Sequence, residues 1–112
     1  MSRNTMLEAY IECAFWSSQS DDDKLEGELA PETLAKFMKD TCEFRLANQE
    51  LLRGTTDWSQ VGHDFWLTRN RHGAGFWDRG LGELGDKLTE SAHKFGEAYL
   101  YTGDDGLIYQ SP

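Results

Sequence analysis

Between Pro31 and Arg53 the side chains Leu34, Phe37, Met38, Thr41, Phe44, Asn48, Leu51 and Leu52 recur at helical spacing. This stripe constrains the fold more than any other feature, because a helix with such a face needs a core to lie on. Pro31 suits a first helical turn, Glu32 favours its positive end, and Gly54 is placed to stop it after Arg53. A helix over residues 31–53 follows, with Lys36, Lys39, Asp40, Glu43 and Glu50 on its outer face. The chain has enough apolar matter to meet it: 38% of its 112 residues are hydrophobic, including four Trp, four Tyr and six Phe. One ordered domain over residues 1–112, about 13 Å in radius of gyration, is expected.

Other elements are read in the same way. Leu7, Tyr10, Ile11, Ala14 and Phe15 predict a helix from Met6 to Trp16, with Thr5 and Glu8 as a capping box. Residues 17–29 break the pattern and read as an acidic, flexible loop around Asp21, Asp22 and Asp23. The loop lacks the ligand spacing of a calcium site. Thr55-Thr56-Asp57 can cap a short helix from Trp58 to Gly62, after which Phe65-Trp66-Leu67 is strand-like. Residues 70–75 read as a loop before Phe76 and Trp77. After the Gly80/Gly82 hinge, Leu81, Leu84, Leu88, Ala92 and Phe95 restore helical spacing until Gly96. Tyr99–Thr102 and Leu107–Tyr109 alternate around Gly103-Asp104-Asp105-Gly106, which predicts a hairpin. The expected class is α+β, with three to four helices packed on a small antiparallel sheet that includes this C-terminal hairpin.

Charge narrows the function classes. Twenty acids against eleven bases give a formal charge of −9, which disfavours direct binding to a nucleic-acid backbone. No apolar run reaches the length of a membrane span, and MSRNTMLEAY lacks the basic-then-apolar order of a signal segment. Two cysteines, Cys13 and Cys42, fit a reducing cytoplasm, either as two buried thiols or as one clamp between helices. No CxxC or HxxxH spacing occurs, and no cofactor is indicated.

The segment Val61–Gly82 gathers His63, His72, Arg69, Arg71, Arg79, Trp66, Trp77 and five glycines. His63-Asp64 offers a general base with its carboxylate, and His63, Asp64, His72 and Asp78 offer a His/carboxylate metal set. In a strand, however, His63 and Asp64 point to opposite faces. The glycines match neither dinucleotide nor P-loop fingerprints and read as turn formers. Trp66 and Trp77 serve equally as core or as partner anchors beside Arg69 and Arg79.

The string GHDFWLTRN-x-HGAGFWDRGLG resembles a signature of small bacteriophage and mobile-element proteins of unassigned role. The likeness runs on into LGELGDKLTESAHKFGEAYLY and more loosely covers LEAYIECAFWSS and APETLAKF. Gly more often stands there where this chain has Arg71, and Asn-Arg makes a type I′ turn less comfortable than Asn-Gly. The resemblance implies a phage-like origin and an intracellular protein, with no catalytic assignment.

Three classes are consistent with these features. One is an acidic accessory protein that inhibits or modulates a host or phage nucleic-acid-processing or defence protein, as a DNA mimic of anti-restriction type. Its contacts would be Asp21, Asp22, Asp23, Glu43, Glu50, Trp66, Arg69, Arg71, His72, Trp77 and Arg79, with carboxylates around Asp104 and Asp105 adding charge. The others are a small enzyme using His63, Asp64, His72 and Asp78, and an oligomeric adaptor.

Overall fold

The computed structural model describes residues 4–18, 27–53, 57–71, 76 and 82–111. Four helices and one hairpin make an α+β fold: α1 (Asn4–Ser18), α2 (Pro31–Ala47), α3 (Trp58–Arg69), α4 (Glu83–His93), β1 (Tyr99–Thr102) and β2 (Ile108–Ser111). The strands pair antiparallel, with Tyr99 opposite Ser111 and Tyr101 opposite Tyr109. No described helix is long and apolar enough to cross a membrane.

The main departure from expectation is α3. Phe65-Trp66-Leu67 does not form a strand; it is the middle of a helix that begins at Trp58, past whose first turn Gly62 lies. Every residue from Asp64 to Arg69 is buried, so the second half of the helix turns no face to water and shows no amphipathic period. Asp57 caps it, its Oδ1 accepting from Gln60 N at 3.1 Å. Gly62 is a contact residue: a Cβ there would collide with the Met6 carbonyl oxygen. The backbones of α1 and α3 therefore touch at this point, and the aromatic core closes around the contact. Tyr10 meets Phe37 and Trp66 edge-on at 5.0 and 5.4 Å, and Phe44 stacks on Phe65 at 4.2 Å.

Other boundaries also shift. Helix α1 already includes Asn4, so Thr5 lies inside it and not at its cap. Helix α2 ends at Ala47, because Asn48 turns its side chain back on the last carbonyls. Its Nδ2 donates to Phe44 O and to Ser91 Oγ, at 2.8 and 2.7 Å. Of the predicted acidic loop, Ser17 belongs to α1 and accepts from Trp66 Nε1 at 2.6 Å. At its far end, Glu28 O accepts from Ile108 N and Ala30 N donates to Ile108 O. Residues 28–30 thus run beside β2, while 19–26, with Asp21, Asp22 and Asp23, lie outside the described residues.

One guanidinium joins these parts. Arg69, only 3% exposed, donates through Nη1 to Tyr10 Oη and Asp40 Oδ2 at 3.0 and 2.8 Å. Its Nε and Nη2 donate to the carbonyls of Gly96 and Phe95, at 2.9 and 3.0 Å, just beyond α4. A cation at that end also meets the negative pole of the helix. Burial raises the Tyr10 phenol far above its ordinary value, despite the opposing pull of Arg69.

Arg69→Met should cost about 3–5 kcal/mol, because it strands the Asp40 carboxylate and two carbonyls without their donor. Asp40→Asn should cost clearly less; denaturant midpoints of the two variants make the comparison. The chain turns out of α3 through Asn70 and then Arg71, whose φ of 58° is left-handed. Two small substitutions should therefore act with opposite sign in thermal melts. Gly62→Ala should destabilise by about 1–3 kcal/mol through the α1 clash, and Arg71→Gly should stabilise by about 0.5–1 kcal/mol.

Candidate interaction surface

Several residues chosen from the sequence are structural. Trp66 is 1% exposed and packed on Tyr10 and Phe37, so it offers no surface to a partner. Arg69 is spent on the four bonds described above. Asp64 is buried and accepts from Gln60 Nε2 at 2.9 Å. His63 is half-buried, and in a helix its side chain leaves the axis about 100° from that of Asp64. His72, Trp77, Asp78 and Arg79 lie outside the described residues. Among the described residues no three His, Cys, Asp or Glu side chains gather as a metal site would require.

The cysteines differ from the expected buried pair. Cys13 is buried, its Sγ directed at His63 O at 3.7 Å, and burial with help from Asp64 pushes its thiol up to about 11. Such a thiol is a poor nucleophile. Cys42 is exposed on α2, and both thiols are free.

The outer face of α2 carries both signs of charge, as its sequence predicts. Glu43 is exposed, but Lys36 and Lys39 share that solvent side and Asp40 is held by Arg69, while Glu50, beyond the end of α2, is exposed and paired with Arg53 at 3.0 Å. An open groove of about 550 Å³ between α2 and α4 is equally mixed. Glu43 and Glu90 there oppose Lys87 and Lys94, above the Asn48–Ser91 bond. Arg71 is exposed at the end of α3.

Charge of one sign collects at the hairpin instead. Residues 27–35 and 97–111 carry Glu28, Glu32, Glu97, Asp104 and Asp105 and no Lys, Arg or His. Alternation sends Leu100 and Ile108 into the core, so Tyr99, Tyr101 and Tyr109 share the other face. Tyr99 remains 61% exposed, and Tyr101 stacks on Tyr109 with centroids 5.9 Å apart. The Tyr109 ring lies over the turn, where a Cβ on Gly103 would come within 2.6 Å of it.

The rim is tied to this face. Tyr109 Oη donates to Asp105 Oδ2 at 2.5 Å, and Leu107 N donates to Asp105 Oδ1 at 3.0 Å. The Tyr109 bond holds the Asp105 carboxyl below its usual range. The same bond, with smaller contributions that include the charge of Glu32, pushes Tyr109 up to about 12. Ring faces with carboxylates beside them suit guanidinium and ammonium groups. Strand alternation places the three tyrosines together in the sequence itself, a weaker signal than the denser aromatic run of α3.

Comparison with family models, curated proteins and solved structures finds no match for this chain.

The Tyr109–Asp105 bond sets opposite pH limits. Asp105 has a lowered folded-state pKa, so its contribution is full above the unfolded carboxyl value and fades as pH falls through the folded one. Tyr109 is raised, so its contribution is full below the unfolded tyrosine value of about 10 and fades through about 12. Ultraviolet titration should show two tyrosines ionising late, Tyr10 and Tyr109, and Tyr109→Phe should remove one of them and return Asp105 toward an ordinary carboxyl titration by NMR.

Proposed function

We propose that this chain is a non-catalytic binding protein whose acidic tyrosine face occupies a basic groove on a nucleic-acid-processing or defence protein. The supporting observation is the hairpin face, which pairs exposed rings with carboxylates, with no Lys, Arg or His in residues 27–35 or 97–111. Such a face meets arginine and lysine side chains that otherwise grip phosphates. The resemblance to small phage and mobile-element proteins supplies the setting, a cytoplasmic contact between phage and host. Long-range attraction from the carboxylates speeds encounter and fades with salt, while the tyrosines set the lifetime of the complex.

The test starts from the partner captured at low salt from infected and uninfected cells. Wild-type protein should displace nucleic acid from that partner. Asp104→Lys should lower the association rate, and Tyr99→Ala should raise the dissociation rate about tenfold, both with unchanged circular dichroism. A captured partner that still holds nucleic acid in the presence of wild-type protein would sink the reading, as would rates untouched by both substitutions.

A further inference from the structure

Helix α2 carries a second apolar row outside its buried face. Its inner face buries Phe37 and Phe44 but also Thr33, Thr41 and Asn48, whose polar groups are absorbed by Ile108 O, Phe37 O and Ser91 Oγ. Its outer face carries Leu34, Met38, Cys42 and Leu46 at strict four-residue steps, with Met38 and Leu46 53% and 54% exposed. Four-residue steps form a ridge inclined to the helix axis, the kind that interdigitates with a like ridge on a second helix at about −50°.

We propose that this ridge docks on the same ridge of a second copy, making a weak twofold dimer that is separate from the hairpin face. The charges beside the ridge select a second copy over an unlike partner. Lys39 and Glu43 follow one another on one flank, and neither makes an intramolecular ion pair among the described residues. A twofold axis lying in the interface keeps each flank on its own side and reverses its order. Lys39 of one copy then meets Glu43 of the other, and the pair forms twice. Met38 faces Cys42 across the axis, and Leu34 faces Leu46. Helix α2 is about 25 Å long, and a single crossing of that length buries less than the roughly 1,200–2,000 Å² of a standard stable interface. The dimer therefore forms in the micromolar range or weaker.

Sedimentation equilibrium from micromolar to millimolar protein tests the proposal. The wild type should pass from monomer to dimer, and Met38→Asp should stay monomeric with an unchanged thermal melt. Lys39→Glu and Glu43→Lys should each weaken the dimer about tenfold, and the double variant K39E/E43K should recover to within about threefold. A monomer at every concentration, a dimer that survives Met38→Asp, or a double variant no better than the single ones would each overturn it. Tyr99→Ala should dimerise like wild type and Met38→Asp should still capture the partner, so this proposal and the hairpin reading fail separately.

Discussion

The Arg69 guanidinium is the constraint on which the arrangement of helices depends. It sits at the end of α3, yet its four hydrogen bonds go to α1, to α2 and to the turn after α4. A buried cation needs nearly all its donors matched, and here the matches come from three separate parts of the chain. Shifting α1 or α4 by a fraction of a turn along α3 would leave a charge or a carbonyl unpaired. The aromatic cluster tolerates more sliding than that, because dispersion between rings is weakly directional. The rings supply most of the burial, and the guanidinium fixes the register in which they pack. Phe65 and Phe95, with centroids 5.9 and 5.8 Å from the guanidinium carbon, shield those bonds from water.

The sequence was legible where one face of an element meets water. The start of α2 at Pro31, the presence of α4 and the C-terminal hairpin could all be read from period and turn residues, although β2 runs on to Ser111 and α4 ends at His93, short of Phe95. Helix α3 could not, since its second half is buried on every side, Asp64, Thr68 and Arg69 included, and polar and apolar residues there follow no helical period. The same burial misdirected the choice of site residues. Trp66 and Arg69 look like a partner anchor in a string of letters, and only the packing of Tyr10 and Phe37 against them shows that they are interior. Arg71 was flagged by its poor fit to a type I′ turn. The left-handed residue found there ends a helix, so the departure from glycine was visible while its structural meaning was not.

Net charge was an equally partial guide. The total of −9 is not spread evenly. The outer side of α2 mixes lysines with its glutamates, and Asp40 is spent on Arg69. The excess is concentrated where the hairpin and the segment beside β2 come together, beside three tyrosines on a rigid pair of strands. Rings held by cross-strand stacking and by the Asp105 bond lose little freedom when a partner arrives.

The hydrogen bonds between residues 28–33 and Ile108 carry a consequence for biogenesis. The start of α2 takes its partners, through Ala30 N, Thr33 Oγ1 and Glu28 O, from a strand made 75 residues or more later. While the chain is still being made, α1 and α2 have neither that strand nor Arg69 to orient them. The first half therefore waits on the ribosome as loosely ordered helix, with its aromatic side chains uncovered. Final closure follows synthesis of the hairpin, and the interval before it is when chaperones have the most to hold.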